Sequence, residues 1–354
     1  MRADWRDARR ARCAAGWGAE MPRLLAVSHE SPLYGAPRSL TMICAHLQRE
    51  GLAQVRMLTF GAGDIVDHAR DHGLEIAVLD PCDRIPDPDR PRPAFMLEQA
   101  WLRVQRRLCG LGVFVRLLAE AGRCDLVYVN TVLRAAPVLA ARLRHRPVVL
   151  HVREAENYLV PHGRWRRWRL RRTLGAAARV ICVSEAVRRL VLAVPGTGLA
   201  PDCVVTVHNG IDASAFAADE TARTRFRSAH GIPGDAPVIA FIGSLRHRKG
   251  IDLFLHAAAR LAGNHADVHF VIAGGSPAES AALSHDLVPG QLAPRLHVLG
   301  FVADVRPVLW GADIFAMLSR CEPFARVNLE ASAAGCAVVA TAVDGNTEIF
   351  EDGV

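Results

Sequence analysis

The chain has 354 residues, 51% of them hydrophobic and 22% charged, which is enough for two ordinary domains and too apolar for a disordered or collagen-like chain. A formal charge of +7 favours an anionic partner without separating nucleotide, nucleic acid and anionic membrane. No apolar run approaches the ~18 residues of a spanning helix, and the first twenty residues place Arg2, Arg6, Arg9, Arg10 and Arg12 among Asp4, Asp7 and Glu20 with no apolar stretch. Neither a transmembrane segment nor a secretory signal is expected, and the expected location is the cytoplasm. Nine dispersed cysteines without a CxxC pair read as small core residues, with neither a disulfide framework nor a zinc site.

Residues 1–20 match no regular pattern and are expected to be a disordered extension. From Met21 onward, short β-branched runs alternate with longer helical stretches, the pattern of parallel α/β sheets. Strands are predicted at 23–28, 55–60, 75–79, 126–129, 148–151, 180–183 and 204–208, giving a first Rossmann-like domain over 21–212 with a proline-rich loop at 81–93. The Ala-, Asp- and Arg-rich stretch 213–236 reads as a linker with one short helix. A second domain over 237–354 has predicted strands at 238–242, 268–273, 296–299, 314–318 and 337–340. No GxGxxG follows the first strand, so a dinucleotide-dependent dehydrogenase is not indicated. Gly35 instead enters the first helix, where backbone can approach an anion or simply turn.

The basic residues are uneven: Lys249 is the one lysine beside 42 arginines. It ends the run Gly243-Ser244-Leu245-Arg246-His247-Arg248-Lys249-Gly250, which joins a strand to a helix. Ligands of open α/β sheets bind beyond strand C-termini; there a lysine offers a point charge to phosphate and an arginine a two-pronged grip. A solvated basic turn fits the same residues. Farther on, Glu322 and Glu330 stand eight apart, the first after a strand and the second on the next helix, with Phe324, Ala325, Arg326 and Val327 at the helix start between them. Helical spacing separates them by roughly 10 Å, about the distance from the sugar to the ribose of a nucleotide sugar.

These residues resemble the retaining glycosyltransferases of family 4, also called group 1, which have the GT-B fold. The resemblance runs from Met21 to Val354 and is most specific at 322–341, which is similar to the family's E-x7-E element. Gly243 to Gly250, Asn209-Gly210-Ile211-Asp212 with Phe216, residues 271–277 and Gly345-Asn346-Thr347-Glu348 add to it. It implies two Rossmann-like domains facing across a cleft, with a nucleotide-diphosphate sugar, such as a UDP- or GDP-sugar, held mainly by the second. Glu322 is then expected on sugar hydroxyls, Glu330 on the ribose, and Lys249 with Arg246 or Arg248 on the diphosphate. Gly35, Gly243, Ser244, Phe324, Ala325, Arg326, Val327 and Leu329 complete the implied donor site. No cofactor, metal or protein nucleophile is expected. The implied acceptor is a glycan or a lipid-linked or cell-surface polysaccharide; a non-catalytic scaffold and a nucleotide-sugar epimerase are the alternatives. Three differences stand out: Ser244 where the family usually has arginine, Ala325 where it usually has glycine, and an end at Val354 that leads us to expect an incomplete second domain.

Two further segments belong to the first domain. His151 and Arg153 end a predicted strand where the family places a histidine near the reacting sugar, His151 by identity and Arg153 by the commoner spacing; Glu154 reads as a partner of Arg153 or as a solvated carboxylate. Residues 162–172 pack six arginines and two tryptophans into eleven positions, with Trp165 and Trp168 on one helical face beside Arg164, Arg167 and Arg171. That suits an anionic membrane surface. Equally, the tryptophans pack on the sheet beneath a basic surface helix. No recognition motif for nucleic acid accompanies the patch.

Overall fold

The computed structural model describes residues 21–33, 35–79, 109–154, 156–161, 163–276, 279–280, 283 and 292–351. The expected extension 1–20 and the loop 81–93 lie outside the described residues. The chain divides at Val207/His208 into two compact units.

Unit 1 carries strands β1 (Arg23–Val27), β2 (Gln54–Phe60), β3 (Glu75–Leu79), β4 (Leu126–Val129), β5 (Val148–Val152), β6 (Arg179–Cys182) and β7 (Val204–Thr206). Its helices are α1 (Gly35–Arg49), α2 (Asp64–Asp71), α3 (described over 109–122), α4 (Ala135–Leu143), α5 (Glu156–Leu159), α6 (Arg164–Leu174) and α7 (Glu185–Ala193). The strands form one sheet in the order β3-β2-β1-β4-β5-β6-β7, parallel throughout. Leu24 to Val27 are all buried, as expected of a strand covered on both faces. Leu40 and Cys44 of α1 and Ile65 of α2 pack on Met57 and Val55 to form one core.

Unit 2 carries α8 (Glu220–Ala229), β8 (Val238–Ile242), α9 (Ile251–Asn264), β9 (His269–Ala273), β10 (Leu296–Gly300), α10 (Arg306–Gly311), β11 (Ile314–Met317), α11 (Arg326–Ala333) and β12 (Ala337–Ala340). Its parallel sheet runs β10-β9-β8-β11-β12. Phe241, Phe254, Phe270 and Ile272 fill one core with α9, and Val238, Ala240, Phe315 and Met317 another.

Within this second core the structure departs from the expected linker. Phe216, Phe226, Ile232 and Ala236 all lie in it, so 213–236 is a structural part of unit 2. Arg227 is 2% exposed and donates to the carbonyls of Gly311, Gly234 and Ala236 and to Asp313. A buried arginine that satisfies loop and helix-end carbonyls in this way is indistinguishable from a surface one in composition, which is why the segment reads as a linker.

Cys44, Cys124, Cys182, Cys203, Cys321 and Cys336 are free thiols, five of them buried, but Cys109 is disulfide-bonded. Dispersed cysteines encode no pairing in sequence, so this departure from the expected free thiols was not readable there. Among the described residues no helix is long and apolar enough to cross a membrane.

Candidate functional site

In unit 2 the chain proceeds outward from β8 to β10 and resumes at β11 on the other side of β8. Ligands of open parallel sheets sit beyond the strand ends at such a reversal. The segments leaving β8 and β11 there are 243–250 and 318–325, the two singled out from sequence. They are joined by charge. Lys249 Nζ donates to Glu322 Oε2, Arg248 lies 3.8 Å from the same oxygen and donates to the Cys321 carbonyl at 2.8 Å. Ser319 Oγ also donates to Oε2, at 3.3 Å. Arg320 grips Asp252 with two bonds of 2.7 Å, and these hydrogen bonds lead in holding that carboxyl down at about 2. Gly250 has φ +73°, and a Cβ there would stand 1.9 Å from the Leu318 carbonyl oxygen, so the segments meet where only glycine fits.

The second carboxylate is set by α11. Glu330 pairs with Arg326 one turn earlier at 3.5 Å, and both side chains are mostly buried. Ala325 precedes the helix without a side-chain cap, so first-turn amides face outward from the helix end, where an anion is favoured. The Ala325 methyl is spent in the apolar core, not on the space before those amides. Phe324 is buried and stacks on His208 at 5.0 Å. Glu322 N donates to Asp344 at 2.9 Å, and Asn328 Nδ2 to Asn346 Oδ1 at 3.2 Å. Ser244 and Arg246 are exposed, Gly243 continues the β8–β9 ladder through Ala273, and Val327 and Leu329 are half-buried.

In unit 1 the reversal falls between β1 and β4. Gly35 opens α1 there, exposed, and a Cβ on it would meet nothing within 4 Å. Asn130, just past β4, donates to the Ala36 carbonyl at 3.0 Å and accepts from Arg153 Nε at 2.7 Å. Arg153 also reaches His151 Nδ1 at 3.4 Å, and the Tyr128 hydroxyl contacts the same nitrogen. A guanidinium only donates, so Nδ1 accepts and the proton belongs on Nε2. Nε2 is buried and has no hydrogen-bond partner among the described residues. Burial, reinforced by the Arg153 charge, holds the His151 pKa well below its usual value, so the ring is neutral at pH 7. Burial likewise pushes the Tyr128 hydroxyl up to about 12.

Glu154 is not the solvated carboxylate of one sequence reading, and it partners Arg153 through the backbone N–H. It is buried and accepts from the Thr131 hydroxyl, from Val132 N at 3.1 Å and from Arg153 N at 3.0 Å, stitching the end of β4 to that of β5. Burial raises its pKa against these bonds.

Residues 34–215, just over half the chain, match Glycosyltransferase Family 4. The chain belongs to that family. Residues 236–354 match Glycosyl transferases group 1. D-inositol 3-phosphate glycosyltransferases of Mycobacterium bovis and Mycobacterium tuberculosis are 33% identical over 186 residues, 50% of this chain and 37% of theirs. The match thus spans little more than a third of the length of these relatives. Among solved structures, that of Anabaena HepE in complex with UDP and glucose aligns with TM-score 0.75 at 22% identity, covering 94% of this chain and 84% of that one. Sucrose-phosphate synthase from Thermosynechococcus elongatus aligns with TM-score 0.66 at 19% identity, covering 92% and 82%. With the two parallel sheets, these likenesses give the two-domain GT-B fold.

For a family 4 chain, the structure thus gathers Arg248, Lys249 and Glu322 in unit 2, places Glu330 on the helix that follows, and groups Gly35, His151 and Arg153 in unit 1. Arg164, Trp165, Arg167, Trp168 and Arg171 lie exposed on α6. Tyr128, Asn130, Thr131, Ser319, Arg320 and Asp344 were missed. A usable signal existed for Asn130 and Thr131, a polar pair immediately after an apolar strand.

Proposed function

We propose that this family 4 protein is a retaining, metal-independent glycosyltransferase that moves a hexose from a nucleotide-diphosphate sugar, such as a UDP- or GDP-sugar, to a glycan, lipid-linked or other cell-surface acceptor. The observation that carries the reading is the meeting of Lys249 and Arg248 with Glu322 at the sheet reversal of unit 2, beside the uncapped start of α11. A diphosphate arriving there competes with Glu322 for Lys249. Once Lys249 and Arg248 turn to the phosphate, Glu322 is released to accept hydrogen bonds from sugar hydroxyls. The cations and the helix start then stabilise the charge that grows on the leaving diphosphate as the glycosidic bond breaks, the work a metal would otherwise do. Glu330 accepts from the ribose. In unit 1, Arg153, set beside neutral His151, is a donor for the acceptor. The reading expects the protein in the cytoplasm.

The HepE structure with UDP and glucose supports a nucleotide-sugar donor, and the inositol-phosphate enzymes support transfer to a hydroxyl acceptor. Thermal-shift titration of UDP, GDP, ADP and their sugar conjugates tests the donor site. At 100 times its dissociation constant, a nucleotide should stabilise the native chain by about 2.7 kcal/mol, and Lys249→Ala should remove most of this. A folded chain that no nucleotide stabilises sinks the donor reading. Product analysis then separates transfer, which needs an acceptor, from epimerisation, which alters the donor alone, and from a scaffold, which does neither.

A further inference from the structure

We propose that α6 docks the protein onto an anionic lipid bilayer. The helix has six arginines and no acidic residue in its eleven positions. All six are exposed, and among the described residues none forms a salt bridge with a carboxylate. The structure also decides the fate of the two tryptophans, which do not pack on the sheet. Trp165 is 70% exposed and Trp168 45%. They stack on each other with ring centroids 4.7 Å apart and planes 17° from parallel, and the Arg172 guanidinium lies 5.4 Å over Trp168.

The helix has two distinct sides. Its buried residues are Leu170, Thr173 and Leu174. At about 100° per residue, Trp165, Trp168 and Arg172 project from the opposite side, with Arg164 and Arg171 along one flank and Arg169 along the other. One side holds the helix to the domain, and the other has no packing role. Exposed apolar groups occur on neighbouring elements as well: Tyr158 on α5, Val160 just after it, and Leu139 and Leu143 on α4, which contacts α6.

Charge and apolarity together select the partner. Single exposed aromatics are common on soluble proteins. A stacked indole pair flanked by Arg164, Arg169, Arg171 and Arg172 meets two needs of a bilayer interface: phosphates for the cations and a half-polar layer for the indoles. Nucleic acid would use the charge, but the tryptophans turn faces to each other that base stacking requires. It would also leave Val160, Leu139 and Leu143 without a role. The proposal does not depend on which sugar is moved, or on catalysis at all.

Flotation of the full chain with phosphatidylcholine vesicles, with and without phosphatidylglycerol, tests it. The chain should float with the anionic vesicles and not with the neutral ones. Its partition coefficient should drop about tenfold or more in Trp165→Ala/Trp168→Ala and in Arg164→Gln/Arg169→Gln/Arg171→Gln, and at high salt. Circular dichroism and the melting curve verify that these exposed positions leave the fold intact; if a variant misfolds, the salt and lipid dependence of the native chain decides alone. Equal flotation of native chain and folded variants overturns the proposal, as does binding indifferent to phosphatidylglycerol. Displacement from vesicles by an equimolar single-stranded oligonucleotide overturns it too, and assigns the patch to nucleic acid.

Discussion

The two sheet reversals are built from different materials. In unit 2 the strand ends are joined by ion pairs, Lys249 with Glu322 and Arg320 with Asp252, around a glycine that admits no other residue. In unit 1 they are joined by hydrogen bonds running from Asn130 to Arg153 and on to His151 and Tyr128, beside a glycine with open space around it. An ion pair can exchange one partner for an incoming charge, whereas a buried hydrogen-bonded chain resists rearrangement because each broken link strands a polar atom. The first arrangement suits a phosphate that comes and goes. The second suits donors that must be in place beforehand.

The largest effect expected from this contrast concerns the two glycines. Gly250→Ala combines a left-handed backbone with a clash against Leu318, and should cost about 3 kcal/mol or more in a denaturant titration. Gly35→Ala, facing open space at a helix start, should leave stability within about 1 kcal/mol of the native value. Similar losses at both positions would erase the distinction between a locked and an open glycine. Of intermediate size is Tyr128→Phe, which removes the hydroxyl from His151 Nδ1 and should destabilise by about 1–3 kcal/mol. If that change proves neutral, the unit 1 chain of hydrogen bonds is not what holds the ring.

The smallest effect comes from the other end of the unit 2 sheet. His269 opens β9 and its Nδ1 lies 3.0 Å from Nε2 of His297 near the start of β10. Burial, then the neighbours His269 and His230, bring His297 down from 6.5 to about 4. A histidine depressed in the folded state binds more protons when unfolded, so its contribution is intact above pH 6.5 and is lost as the pH falls toward 4. Because the ring is only half-buried, the loss should be on the order of 1 kcal/mol. Melting curves across this range should be flatter for His297→Phe than for the native chain. An unchanged slope would remove His297 from the account of acid sensitivity.

The strands of both units were legible because a parallel strand buried on both faces is a continuous β-branched run. Glu322, Glu330 and Lys249 were legible because their signal is local, a fixed spacing and a single exceptional residue. The network around His151 was not, since Tyr128 reaches His151, and Asn130 reaches Arg153, only through the adjacency of β4 and β5. Glu154 was legible only as a partner of Arg153, for the same reason: its other donors, Thr131 and Val132, come from the neighbouring strand end. For α6 the spacing of Trp165 and Trp168 predicted a shared face, but not which way that face turns. That depended on Leu170, Thr173 and Leu174 anchoring the opposite side.

Lys249 carries the only side-chain amine of the sequence. A reagent that acylates amines therefore has one internal target, and that target lies against Glu322 with 16% of its side chain exposed. Mass spectrometry of a single modified peptide can thus follow the occupancy of this one position in the intact chain, with no introduced label and no competing lysine to subtract.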